Sequence, residues 1–542
     1  MKRYLFSIVF ALIVVGALVL RVYKLGVIAP GISWDEAAVG YNAYTIAHWG
    51  RDEWGRFLPL TFKSFEDYKH PVHIYATVPF VGLFGLNEFT TRLPAALFGV
   101  GNVIIIFFLT WEIVGSQFAG LMAAFLLTIS PYNLQFSRQN HELNFAVFFF
   151  MFGVLLILKG IKKKPINLIF AYMSFGICLI TYHSSKVVAF PLTIFLTALF
   201  IKDLVKKGKY FVFGLFAFLF FILLIVKDPN LLGLARANQT AFSKEQIQST
   251  NWYKKTNNPL YGRVELTAQQ YLKHFGKIYL FEKGDQAARH STHVMGEFYK
   301  VEAVTLIAGA FFLLYSIFFK RQKLYLFLLV WCLLAPIPSA AVALSESPHA
   351  ARAMFMTGSW HMVSALGAYE ILRVARRKLL QTPLLLIALV LILFQFVGYL
   401  KDYYFEYSKR DAIQWQYGMK QVVTYITEHP GYYYVYMTDI RAQPYIFFLY
   451  YLKTPLPQYL SSVKYNTSGS RSFSLVESFK YYRFANWDPI DSWPNLVTLQ
   501  VMTVNHHFGL RYRDWFDVKE IVRFPAGDPA FYLVSARDDL DF

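Results

Sequence analysis

The chain has 542 residues, of which 56% are hydrophobic and only 16% charged, against roughly a quarter charged in an average soluble domain. That balance excludes a disordered chain and an ordinary soluble enzyme, because apolar runs of about 18–20 residues recur through residues 4–400 and demand a bilayer. The net charge of +19 does not point to nucleic acid, since much of the excess sits in short runs between apolar segments, where membrane topology accounts for it.

Met1-Lys2-Arg3 precedes an apolar run from Tyr4 to Leu20 with no small-residue cleavage site after it, which predicts a retained first span with a cytoplasmic N-terminus. Further spans are predicted near 92–112, 117–131, 143–160, 166–182, 187–201, 210–226, 301–319, 324–338, 354–372 and 379–400, about eleven in all. The run Val72–Leu86 is shorter, contains Pro79 and is flanked by Lys69 and Glu88, so an interfacial or re-entrant helix is expected there. Leaving it out of the count puts Lys2/Arg3, Lys159–Lys164, Lys202–Lys209, Lys320–Lys323 and Arg373–Lys378 all in the cytoplasm, as the positive-inside rule asks. Segments 21–91, 227–300, 339–353 and the tail from 401 then lie outside. Cys178 and Cys332 both sit in apolar runs, so no disulfide is expected in the polar regions.

Long apolar runs stop near Lys401, which divides the chain into a membrane domain, 1–400, and an extracytoplasmic α/β domain, 401–542. In that tail the periodicity predicts helices over Asp411–Glu428 and Gln443–Leu452, and strands over Tyr432–Thr438, Leu496–Val504, Val518–Phe524 and Ala530–Ala536. Ser461–Ser474 reads as a polar loop.

On this map no cytoplasmic loop is large enough for a nucleotide-binding domain, and no glycine-rich phosphate loop occurs. An enzyme working outside must therefore draw activated material from the membrane, a polyprenyl-phosphate carrier being the natural form. Carboxylates beside cations at the outer interface are the residues to seek. Ser33-Trp34-Asp35-Glu36 comes first: Ser33 and Glu36 have capping-box spacing, a purely structural reading, while a carboxylate pair at the membrane surface suits a general base for a hydroxyl acceptor. Lys69, next to His70, and Arg92 suit a phosphate, although basic residues at span ends are commonly interface anchors. Four further clusters share the outer side: Arg138 to Glu142, His183 to Lys186, Asp285 with Arg289 and His290, and His349 with Arg352. Span ends can bring such clusters to one cavity. No zinc spacing links His183 or His290 to cysteine ligands, so no metal site is assigned; a divalent cation at Asp35, Glu36 and Glu142 stays open.

The runs Trp34-Asp35-Glu36, Tyr68-Lys69-His70-Pro71, Gly85-Leu86-Asn87-Glu88-Phe89 and Arg92-Leu93-Pro94 resemble the first outer loop of GT-C glycosyltransferases. More narrowly they resemble family 39 and its relatives, the protein O-mannosyltransferases and the aminoarabinose transferase of lipid A. The likeness extends over about residues 1–400 and implies a polytopic α-helical GT-C fold. It also implies Asp35 and Glu36 as the family's Asp-Glu motif, Glu142 as its second acidic position, where Asp is commoner, and Lys69 as the residue that contacts the lipid phosphate, with His70 intervening before the proline.

The reading that follows is an inverting glycosyltransferase using a polyprenyl-phosphate sugar outside the cytoplasmic membrane. Asp35 is its base, Glu36 and Glu142 position the acceptor, and Lys69, Arg92, Lys186 and Arg352 hold phosphate; His70, Arg138, His183, Asp285, Arg289, His290 and His349 complete the binding set. The acceptor is unspecified, and membrane lipid but no nucleic acid is expected as partner. A lipid-linked sugar transporter or flippase is the alternative, disfavoured because the span interiors carry almost no charge. A scaffold binding cell-wall polymer would leave the outer charges without a common purpose.

Overall fold

A computed structural model describes the chain except residues 1, 66, 344, 346, 376–377, 442, 467–474, 486–497, 538 and 540–542. Helices stand at each expected span: Lys2–Val22, Glu88–Val114, Gln117–Ile129, Leu143–Lys162, Asn167–Leu179, His183–Leu199, Lys209–Lys227, Glu302–Lys320, Lys323–Leu334, Met356–Val374 and Lys378–Lys401. Among the described residues, seven helices are long and apolar enough to cross a membrane, and Gln117–Ile129, Asn167–Leu179 and His183–Leu199 are apolar but shorter. Their exposed faces carry large apolar side chains, such as Leu5, Ile8 and Leu12 on the first helix and Phe213, Phe216 and Phe220 on Lys209–Lys227. Water would penalise such surfaces, whereas acyl chains would not. The run near Val72–Leu86 forms a 14-residue helix, Pro71–Phe84, opened by proline at its first turn and in the same length class as those three shorter apolar helices.

Two compact units result: Met1–Tyr23 with Ala95–Asp402, and Lys24–Pro94 with Tyr403–Phe542. The change of composition at Lys401 coincides with one junction, but the first loop, expected with the spans, packs with the tail. The reason is its apolar content. Ala37, Ala38 and Tyr41 of helix Trp34–Trp49 share a core with Ile446, Phe447 and Tyr450 of helix Pro444–Tyr451. Tyr41 OH also donates to the Thr454 carbonyl at 2.8 Å.

Within this second unit the loop forms a hairpin, β1 (Phe62–Ser64) and β2 (Asp67–Lys69), which pairs Phe62 with Lys69. The tail contributes β3 (Tyr434–Thr438), β4 (Lys464–Tyr465), β5 (Val476–Phe479), β6 (Tyr482–Ala485), β7 (Thr498–Met502), β8 (Phe516–Arg523) and β9 (Pro529–Ala536). They make one sheet in the order β4-β5-β6-β3-β7-β9-β8, with β3 parallel to both of its neighbours. The α/β character expected of the tail is thus present, and the hairpin β5–β6 adds to the expected strands. The helix expected over Asp411–Glu428 is broken: Gln416 and Gly418 adopt left-handed conformations, and the α-helix starts at Met419. The polar loop expected over Ser461–Ser474 lies partly outside the described residues, and β4 occupies part of the rest.

Candidate active site

Helix Trp34–Trp49 starts with a complete capping box: Ser33 Oγ accepts from the Glu36 N–H at 3.2 Å, and Glu36 accepts from the Ser33 N–H at 3.2 Å. The structural reading of Ser33 and Glu36 is therefore realised. It also separates the fates of two adjacent acids, because successive helix positions point about 100° apart. Glu36 turns inward and is 2% exposed, whereas the Asp35 side chain keeps 39% of its surface.

Glu36 meets Arg92 in a bidentate pair, Nε to Oε1 at 2.9 Å and Nη2 to Oε2 at 3.1 Å. Arg92 Nη1 donates to the carbonyls of Leu25 and Ala29, each at 3.2 Å, and Nη2 donates to that of Gly31. All five guanidinium N–H groups are thereby engaged, and the plane also lies 5.5 Å from the Trp415 ring. Gly31 fits there because a Cβ would come within 2.2 Å of the Trp415 carbonyl oxygen. Arg92 was expected to grip phosphate. Its geometry is instead that of a buried clamp joining the loop 25–36 to the start of helix Glu88–Val114.

Asp35 faces the end of β2, where Lys69 Nζ stands 2.5 Å from its Oδ1. His70, the next residue, is buried and occupies the N-cap position of helix Pro71–Phe84 without a side-chain capping bond. Glu53 is a further acid, outside the motifs that mark the other candidates. It is buried and accepts from Trp54 Nε1 at 3.1 Å, Asn42 Nδ2 at 3.3 Å and Tyr445 OH at 3.4 Å. Burial, reinforced by neighbouring Asp52, pushes its carboxyl up to about 8, against the opposing pull of its hydrogen bonds and of Lys69. Its only sequence signal was an acid at the loop turn, which a solvated turn would explain equally well.

In the first unit the four remaining clusters meet. Gln135 and Gln139 both donate to the Arg289 carbonyl, at 2.9 and 3.2 Å, and the ring of Phe136 lies 5.2 Å from that of His290. His141 pairs with Glu142 at 3.0 Å, and its ring is 5.9 Å from that of Tyr182. Lys186 Nζ donates to the Tyr182 carbonyl at 3.4 Å, one turn along the helix that His183 begins. Arg138 is buried with Nη1 on the Leu20 carbonyl at 2.8 Å, an anchoring contact.

At the centre of this region Asp285 Oδ2 lies 3.1 Å from His290 Nδ1, 3.9 Å from His349 Nδ1, and accepts from the Ala350 N–H at 2.5 Å. Burial alone would raise the Asp285 carboxyl, but His290, His349 and the Ala287 N–H outweigh it and hold it below the usual carboxylate range. Burial pushes His349 well below its ordinary value, and His290 and Arg352 act in the same direction. Beneath them Glu297, which accepts from the Asp285 N–H at 3.0 Å, is pushed well above its ordinary value by burial and then by Asp285.

Asp285, His290 and His349 each place one ligand atom within 4.8 Å of the others, a donor set fit for a divalent cation. A neutral imidazole is the ligand form of histidine, and the low value of His349 favours it. No HxxxH or Cys/His spacing in the sequence marks this group as a metal site. At the other candidate cation ligands, Asp35, Glu36 and Glu142, Arg92 occupies both oxygens of Glu36.

Residues 69–226 match the family model described as dolichyl-phosphate-mannose-protein mannosyltransferase. A stretch of 96 residues, 18% of the chain, is 31% identical to YkcB of Bacillus subtilis (strain 168), named as a candidate mannosyltransferase, and covers 13% of that protein. Among solved structures, ArnT of Cupriavidus metallidurans bound to undecaprenyl phosphate superposes with a TM-score of 0.55 at 13% identity over 98% of each chain. The apo oligosaccharyltransferase of Archaeoglobus fulgidus superposes with a TM-score of 0.51 at 15% identity, over 83% of this chain and 64% of its own. The archaeal oligosaccharyltransferase AglB from Archaeoglobus fulgidus, in complex with an inhibitory peptide and a dolichol-phosphate, superposes with a TM-score of 0.50 at 14% identity, over 83% of this chain and 64% of its own.

Proposed function

We propose that this chain, which has the GT-C fold of ArnT and the archaeal oligosaccharyltransferase, is a membrane glycosyltransferase. In this reading it moves a sugar from a polyprenyl phosphate to an acceptor hydroxyl on the outer face of the cytoplasmic membrane. The matched family model and the carrier lipids bound by the two structural relatives support the reaction class and the donor. The charge distribution between the spans supports the side.

The observation that carries the reading is the Asp35–Lys69 pair, a half-exposed carboxylate held by an ammonium at 2.5 Å while the acid beside it is buried. In the transfer, the acceptor oxygen bonds to the anomeric carbon as the bond from that carbon to the phosphate oxygen breaks, and the acceptor proton passes to Asp35. Polyprenyl phosphate departs with the electron pair of the broken bond, and direct displacement inverts the anomeric centre. Phosphate is already a good leaving group, so a base and a cation suffice. Lys69 serves both ends of this exchange. When the donor phosphate draws the ammonium toward itself, the carboxylate loses its stabilising partner and becomes a stronger base, so donor binding arms the catalyst.

Within the first unit, Glu142, His183, Lys186, Arg289 and Arg352 form a second polar set proposed to bind polar groups of a substrate, with Arg138 anchoring their segment. A divalent cation held by Asp285, His290 and His349 would add positive charge to that set.

The test is release of polyprenyl phosphate, with inversion at the anomeric carbon, by purified protein given a polyprenyl-phosphate sugar and a hydroxyl acceptor. Asp35→Asn is expected to lower turnover about 10²–10⁴-fold with unchanged folding. Full activity in Asp35→Asn refutes this base. Movement of intact lipid-linked sugar across a vesicle bilayer without transfer refutes the enzyme in favour of a flippase.

A further inference from the structure

Helix Pro259–Lys273 turns a stripe of apolar side chains outward. Leu260, Val264, Ala268 and Leu272 recur every four residues and are exposed or half-buried, with Tyr261 beside them. The face turned to the protein carries Glu265 and Gln270 beside Gly262 and Leu266, and His274 follows at the helix end, all five buried. Two of these polar groups are engaged locally: Glu265 accepts the N–H groups of Trp252 at 2.6 Å and Asn251 at 3.3 Å, capping the preceding helix Asn251–Thr256, and His274 Nδ1 lies 3.0 Å from the Gln270 carbonyl. A helix bathed in water would present the opposite face.

The charges around the stripe are of one sign. Lys254, Lys255, Arg263, Lys273 and Lys277 are all exposed, and Glu265, already buried, is the sole acid between residues 251 and 278. An apolar stripe bordered by lysine and arginine, in a unit that also holds membrane-spanning helices, matches a helix lying in the plane of the bilayer interface. Its cations complement anionic phospholipid headgroups.

The helix also leads directly into the Asp285 loop. A π-turn, Ile278–Glu282, follows it, and the carbonyls of Tyr279 and Leu280 accept the N–H groups of Glu297 at 3.2 Å and Phe298 at 2.7 Å. Gly296 permits this approach, because a Cβ there would meet the Leu280 carbonyl at 2.5 Å. Glu297 in turn receives the Asp285 N–H. Backbone and side-chain hydrogen bonds thus tie the end of the helix to the loop that carries Asp285 and His290.

We propose that Pro259–Lys273 is an interfacial helix seated on anionic phospholipid, and that it anchors the Asp285–His290 loop at the bilayer surface. This holds for any chemistry performed by that loop. The test uses full-length protein with Cys178 and Cys332 replaced by alanine, a single cysteine introduced as Val264→Cys or Gln269→Cys, and an environment-sensitive fluorophore attached. Nanodiscs contain phosphatidylcholine alone or mixed with phosphatidylglycerol. At position 264 a shallow spin-labelled lipid is expected to quench several-fold more than aqueous iodide, and at position 269, off the stripe, the order reverses. Phosphatidylglycerol should strengthen lipid quenching at 264, and combining Lys254→Gln, Lys255→Gln and Arg263→Gln should remove that gain. Equal iodide quenching at both positions overturns the interfacial placement, and indifference to phosphatidylglycerol overturns the anionic partner. For the anchor, Val264→Glu should raise hydrogen exchange across residues 284–291 several-fold with no change at β7. Unchanged exchange at 284–291 would show that the helix does not hold the loop.

Discussion

Asp35 and Glu36 are neighbours in one helix and each meets a cation, yet the two ion pairs belong to different regions of the second unit. The Glu36–Arg92 pair is buried, bidentate and surrounded by three backbone carbonyls that use the remaining guanidinium donors. The Asp35–Lys69 pair is partly exposed at the end of a short hairpin, and its cation is a single ammonium on a flexible stem. The first arrangement is closed to a ligand and suited to fixing the chain. The second can exchange partners. The adjacent acids are therefore split between two arrangements, one that holds the loop and one that the proposed reaction would use, and burial distinguishes them.

Removing one partner of the closed pair should have the largest effect on the fold. Arg92→Ala is expected to cost about 3–5 kcal/mol, because it strands the Glu36 carboxylate in the interior, and a thermal melt in detergent should show it as lost or much earlier unfolding. Asp35→Asn, at a half-exposed pair of the kind usually worth about 0–1 kcal/mol, should melt like the parent. Equal melting of both variants would erase the distinction.

Glu53 sharpens the comparison through pH. Its carboxyl titrates at about 8 in the folded chain against 4.5 for an unperturbed glutamate, so between these values the unfolded chain releases a proton that the folded chain retains. Its contribution to stability accordingly falls as pH rises from 4.5 to about 8. Glu53→Gln should melt higher than the parent at about pH 8, with the gap closing by pH 4.5. A gap independent of pH would place the Glu53 titration elsewhere.

Smaller effects are expected at the open pair and at the cap. Lys69→Ala should weaken binding of a polyprenyl-phosphate sugar by roughly 10–100-fold, the worth of a hydrogen bond to a charged group, and added salt should deepen the loss by screening the neighbouring cations. Parent-like affinity would make Lys69 an anchor only. Ser33→Ala should cost about 1 kcal/mol of stability through loss of the cap, with donor affinity unchanged; a calorimetric titration beside the melt separates the two readouts.

Much of the architecture was legible beforehand. The helices fall on the apolar runs, and β3, β7, β8 and β9 fall on alternating segments. The hairpin β1–β2 escaped notice because three-residue strands leave no periodicity to read. Lys69 and Asp35 were marked by type and position, and the structure sets them side by side. Arg92 was marked by the same criteria, but its carbonyl partners are backbone atoms of residues 25, 29 and 31, which no side-chain pattern announces.

Hydrophobic content and local spacing by themselves determined that this protein is built on membrane helices, where its cations concentrate and which short motifs are candidates for chemistry, because these properties reside in consecutive residues. Only the tertiary structure decided that residues 24–94 pack with the tail, that Glu36 rather than Asp35 takes the arginine 56 residues away, and that Asp285 collects His290 and the His349–Ala350 turn 65 residues onward. Those outcomes depend on which distant segments exclude water from a given side chain, and desolvation is a property of the packed chain.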